Sequence, residues 1–204
     1  MARLKPLTPE QISASGDESV SGLLDIVGSI MGFVPNSFLT MAHRPEMLKT
    51  FAAMAGTINA PGEVSLELKR MVAEVSSNAA GCQYCVAHTS HQAHRSGIAK
   101  DKLDDIWTFE RSDLFSAAEK ATLMVAMKAA QVPGGVEDAD MAELKKYFDD
   151  GQIVEIVGVI SLFGFLNRWN ATLATALEDE LRSFASETLP EGVWQIGNHA
   201  SSDD

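Results

Sequence analysis

Cysteine is scarce in this chain: only Cys82 and Cys85 occur in 204 residues, three positions apart. Disulfides that stabilise a fold of this size join distant segments, so such a close pair is a poor staple and points to chemistry. Cationic charge is also short. The 16 Lys and Arg against 28 Asp and Glu leave a formal charge of −12, with no basic cluster, which argues against nucleic acid and anionic membrane surfaces as partners. Strand signals are nearly missing, since no Asn-Gly or Asp-Gly turn lies between alternating apolar runs and β-branched clusters are short. No apolar run approaches the roughly 18 residues of a membrane span. Residues Met1 to Pro6 lack the apolar core of a secretory signal, and a cytoplasmic location is expected.

What is present reads as helix. Hydrophobic residues make up 46% and charged ones 22%, which suits one folded domain, here all-α. Thr8-Pro9-Glu10-Gln11 is a capping box opening a short helix. A second helix is expected from Ser21 to Ile30, ending near Gly32. Asn36 caps a short helix through Met41, and Pro45 opens another that reaches Ile58. A helix from Ser65 to about Asn78 carries Leu68, Met71, Val72 and Val75 at helical spacing. The cysteine helix should run from Cys82 to Ser96, capped by Gly81 and followed by Gly97. Ser116-Ala117-Ala118-Glu119 opens a helix to about Gln131, and another fits Asp138 to Phe148. Ile153 to Leu177 reads as a buried helix interrupted by Asn167, Arg168 and Asn170; Asn167 and Arg168 call first for a structural hydrogen-bonding role and second for a place in a substrate pocket. Past Leu181 the composition turns to Ser, Glu, Gly and Asp, as in an exposed arm. The expected organisation is therefore an N-terminal arm (1–18), a helical domain (19–182) and a C-terminal tail (183–204).

The cysteine spacing carries the chemistry. A thiolate is the reactive form, and an ordinary cysteine with a pKa of about 8.5 is mostly protonated at neutral pH. Partial positive charge at a helix start favours the anion, and one helical turn between the sulfurs allows a sulfenic acid on one to be resolved by the other. His88 lies about 60° around the helix from Cys85, close enough to exchange a proton with it. His91 lies about 180° from Cys82, so one straight helix does not gather both cysteines and the later histidines around one metal. His91 and His94 are read as surface residues. No metal or cofactor is expected. Inert packing of the two cysteines is the competing, unreactive reading.

The stretch from Glu74 through Gly81, Cys82-Gln83-Tyr84-Cys85 and His88 resembles the signature of the carboxymuconolactone decarboxylase and alkylhydroperoxidase D superfamily. Gly32-Phe33-Val34-Pro35-Asn36, Pro45-Glu46-Met47-Leu48 and Asn167-Arg168 are similar to its peroxidase-related branch. The resemblance implies an all-α alkylhydroperoxidase D-like fold with the Cys-x-x-Cys motif at a helix N-terminus. It implies Cys85 as the residue forming the sulfenic acid, Cys82 as its resolving partner, and a proton relay through His88 and Glu74. Two positions depart from the family pattern: its histidine commonly follows the second cysteine by four, where Thr89 stands, and its glutamate commonly precedes the first by twelve, where Arg70 stands. For Glu74 a solvated helix charge is the competing reading. The implied activity is reduction of hydroperoxides with a thiol or dithiol protein as reductant, in a homo-oligomer. A lactone decarboxylase-like acid/base enzyme and a non-enzymatic redox-sensing or binding module are the alternatives.

Overall fold

The computed structural model describes residues 2–190 and 192–200, and among them the regular structure is entirely helical. In chain order the helices are α1 (Pro9–Ala14), α2 (Glu18–Met31), α3 (Asn36–Met41), α4 (Pro45–Asn59), α5 (Leu66–Ala79), α6 (Gln83–Arg95), α7 (Lys100–Asp104), α8 (Ala117–Ala129), α9 (Asp138–Leu144), α10 (Asp150–Leu173) and α11 (Asp179–Thr188). The predicted boundaries are set largely by caps. Thr8 and Ser116 each form both bonds of a capping box, Asp149 does the same for α10, and Gly32 ends α2 at φ 91°. Asn36 departs from its expected capping role: Pro35 occupies the cap, and the Asn36 amide donates to the Ala176 carbonyl at 2.9 Å.

The core forms where α5 meets α6, α8 and α10. Met71, Val72, Leu123, Ile156 and Val159 fill it with almost no exposed surface, each such side chain contributing about 1.5–3 kcal/mol through burial. Helix α10 corrects one sequence expectation, because its 24 residues are long and apolar enough to cross a membrane. Only 39% of its most apolar window is buried inside the protein. One side packs on α4, α5, α6 and α8, while Val154 and Val157 remain exposed.

The C-terminal segment is the second correction. Expected as an exposed arm, it folds back on the cysteine helix, with Leu181 and Ala185 fully buried and Phe184, Leu189 and Trp194 packed beside Cys82, Tyr84 and Cys85. The apolar residues recur at helical spacing among Ser and Glu, so average polarity hides an amphipathic helix. Residues 201–204 of that expected tail lie outside the described residues. At the other end, the Arg3 N–H donates to the Leu173 carbonyl at 2.8 Å, tying the N-terminal arm to the end of α10.

Candidate active site

The dithiol sits at the junction of α5 and α6. Gly81, at φ 71°, makes the left-handed turn that ends one helix and starts the next, a conformation costly for a residue with a Cβ. The Cys82 N–H then donates to the Ser77 carbonyl at 3.2 Å, and Cys82 rather than Gly81 occupies the N-cap. Cys85 falls in the first turn of α6. Both thiols are free and buried.

The charge within the pair lies opposite to the sequence expectation. The neighbouring Cys85 thiol outweighs burial and, with help from the His199 ring, holds the Cys82 pKa at about 5. Cys85 is pushed well above the ordinary thiol range by its complete burial and by the neighbouring Cys82 charge. The helix start therefore does not make Cys85 the resting thiolate. The two titrate as one unit whose anion rests on Cys82. The Asn170 amide of α10 points its N–H at the Cys85 sulfur from 3.5 Å.

A carboxylate that the sequence reading passes over organises the rest. Glu178, the N-cap of α11, lies 2.9 Å from the His88 Nε2, accepts from the Tyr84 hydroxyl at 2.9 Å and accepts from the Asn36 N–H at 2.5 Å. Burial pushes its pKa up, but the His88 charge, the His88 hydrogen bond and the Asn36 N–H prevail and hold it below the ordinary value. Tyr84 is raised well above its ordinary value by burial and by the Glu178 charge, so it remains a neutral donor, with the Ser37 N–H donating to its oxygen at 3.2 Å. The Tyr84 and His88 rings lie 4.4 Å apart. The available signal was the acidic run Glu178-Asp179-Glu180 after an apolar helix, which marks a new helix start.

Cys85, Tyr84, His88 and Asn170 face one small cavity of about 110 Å³, walled by Phe38, Phe51, Leu162, Phe163 and Leu166. It adjoins an outer groove of about 220 Å³, and Met31, Arg70, His88 and Gln92 border both. Cys82 borders neither and lies behind Cys85, against the C-terminal segment. Trp194 Nε1 donates to the Gln83 carbonyl at 2.9 Å, and the His199 ring bonds the Thr175 carbonyl at 2.7 Å, holding that segment in place.

A model of the carboxymuconolactone decarboxylase family matches residues 45–129, which include the dithiol. The apo structure of the debrominase Bmp8 superposes with a TM-score of 0.82 at 31% identity, over 91% of this chain and 97% of that one. This chain belongs to the carboxymuconolactone decarboxylase family. A cysteine-to-alanine variant of Bmp8, matching equally well, holds 2,3,4-tribromopyrrole. An alkylhydroperoxidase AhpD core, a peroxidase-related protein from Ralstonia eutropha JMP134, shares the fold with a TM-score of 0.77 at 24% identity, over 93% of this chain and 98% of that one. The protein YnjA of Escherichia coli K12, itself uncharacterised, is 33% identical over 93 residues, which span 45% of this chain and half of that relative.

In this family member the remaining sequence candidates fall apart from the dithiol. Glu74 is no solvated charge: it is 2% exposed, accepts from the Ser90 hydroxyl at 2.7 Å, and is pushed up to about 7 by burial. It bonds to neither cysteine nor His88, and its Oε2 has no partner among the described residues. Thr89, where the family pattern has histidine, donates to the Cys85 carbonyl at 2.8 Å. His91 and His94 are half-buried rather than surface residues, each meeting the Phe184 ring edge-on. Asn167 fails as a hydrogen-bonding element, since both side-chain polar atoms are buried without a partner among the described residues, while Arg168 is exposed.

Proposed function

We propose that the protein is a thiol-dependent oxidoreductase that reduces hydroperoxides through a Cys82–Cys85 dithiol/disulfide cycle. The observation that carries this reading is the asymmetry of the pair: Cys85 opens on an aromatic-walled chamber, while Cys82 lies behind it against the C-terminal segment. A hydroperoxide in the chamber meets the Cys85 sulfur. As that sulfur bonds to the outer oxygen and the O–O bond breaks, the Cys85 proton passes to Cys82, and the departing alkoxide takes a proton through His88. Alcohol and a Cys85 sulfenic acid result. The Cys82 thiol then attacks that sulfenic acid, water leaves, and the disulfide forms. An external thiol or dithiol reductant restores the pair, a requirement that a reducing compartment such as the cytoplasm meets.

Stopped-flow peroxide consumption tests the cycle. Cys85→Ser is expected to abolish turnover, and Cys82→Ser to stop after about one equivalent with a trappable sulfenic acid. Peroxide consumption by Cys85→Ser equal to wild type sinks the proposal. Turnover of a lactone by a variant lacking both cysteines supports the decarboxylase-like alternative instead.

A second reading rests on the likeness to Bmp8. The same two thiols carry the two electrons needed to replace a ring halogen by hydrogen, releasing halide and closing the disulfide, and the aromatic walls suit a flat ring. Thiol-dependent bromide release from a bromopyrrole, lost in Cys85→Ser, distinguishes it from peroxide reduction.

A further inference from the structure

Arg70 borders both the inner chamber and the outer groove. Its Nη1 donates to the Asn59 side-chain oxygen at 3.2 Å and to the Gln92 side-chain oxygen at 2.6 Å. Both are neutral amides, which aim the guanidinium without neutralising it. A guanidinium carries five N–H donors, so most of this fork has no protein acceptor among the described residues. Burial lowers the Arg70 pKa, and among the described residues no counter-charge offsets that cost.

The setting is unusual for a chain with 28 acidic residues, because among the described residues no carboxylate borders either cavity. The acids nearest along α5 do not compensate: neither Glu67 nor Glu74 pairs with Arg70, and Glu74 is bonded to Ser90. Arg95 adds a second cation to the outer groove, fixed by donation to the Met31 carbonyl at 2.7 Å. Beyond Arg70 the inner chamber is walled by Phe38, Phe51, Leu162, Phe163 and Leu166, with Tyr84, His88 and Asn170 as polar groups beside Cys85.

We infer that Arg70 is an anion-binding residue, and that the substrate is a small organic anion whose apolar body enters the chamber while its carboxylate, or a comparable delocalised negative group, rests on the guanidinium. This inference deepens the proposed function and rests on the same site. A charge-assisted, paired contact of this kind selects an acid over its neutral ester by about 10- to 100-fold.

Calorimetric titration of the reduced full-length protein with benzoate, methyl benzoate and benzamide reads binding without any turnover. Benzoate is expected to bind at least about tenfold more tightly than either neutral analogue. Arg70→Gln is expected to remove that preference, and Arg70→Lys to retain part of it. Equal binding of benzoate and its ester by wild type overturns the inference, as does benzoate binding in Arg70→Gln as tight as in wild type. Should Arg70→Gln fail to fold, the wild-type acid-to-ester comparison and Arg70→Lys decide the matter. Benzoate bound through Arg70 by a protein that consumes no peroxide leaves the inference standing and removes the peroxidase reading.

Discussion

Glu178 is mostly buried and Glu74 fully so, both packed against the cysteine helix, yet their surroundings give them opposite character. Glu178 meets the face carrying Tyr84 and His88, where three partners converge on its oxygens. Ser90, the partner of Glu74, lies about 160° around that helix from His88. With one hydrogen bond and one orphaned oxygen, Glu74 is pushed up to about 7 by burial, whereas Glu178 stays below its ordinary value although burial opposes it. The His88 charge, joined by hydrogen bonds to the charged form, decides between these outcomes. Only the first carboxyl is placed to work as a fixed anion beside the dithiol.

The largest effect should come from breaking the better-paired member. Glu178→Ala leaves His88 and Tyr84 without their acceptor and is expected to cost about 3–5 kcal/mol in urea unfolding. Since the folded-state pKa of Glu178 lies below 4.5, its contribution is present above that pH and is lost as pH falls through the lower folded value. Wild type should therefore lose stability on acidification below about pH 4.5 more steeply than Glu178→Gln. Parallel acid profiles for the two proteins would contradict the pairing described.

The contrast between the two residues also marks how far the sequence reached. The dithiol, its helix and most boundaries follow from local rules: a Cys-x-x-Cys spacing, a glycine turn and capping residues within three positions of the helices they start. Glu178 sits 90 residues from His88, and no periodicity connects them. Glu74 was visible as a residue, but its burial depends on how α5 packs against α6. At Cys85, complete burial and the charge of Cys82 act against the helix start, and neither is visible in a local motif. Helix α11 was hidden by its Ser and Glu content, and α7, only five residues long, carries too little pattern to register.

Glu74 provides a test of intermediate size and opposite sign. Its pKa is raised from 4.5 to about 7, so between those values the folded state holds a proton the unfolded state has lost. Stability should fall as pH rises through that window and level off above it. The wild-type loss between about pH 5 and about pH 8 attributable to this group is roughly 1–3 kcal/mol, and Glu74→Gln should remove it. A Glu74→Gln profile with the wild-type slope would show that the carboxyl ionises freely and that the contrast with Glu178 is overstated.

The smallest effect concerns the C-terminal segment, which supplies His199 as well as Glu178. The Cys85 thiol is the main cause of the low Cys82 pKa, and the His199 ring is a lesser one. Cys85→Ala should therefore return the Cys82 thiol toward the ordinary thiol range, whereas His199→Phe should raise it by about one unit or less. Ultraviolet thiolate absorbance, followed across pH, measures both shifts in the reduced protein. A larger shift in His199→Phe than in Cys85→Ala would move control of the anion from the dithiol to the folded-back segment. That segment would then act on the dithiol from both sides, through Glu178 on His88 and through His199 on Cys82.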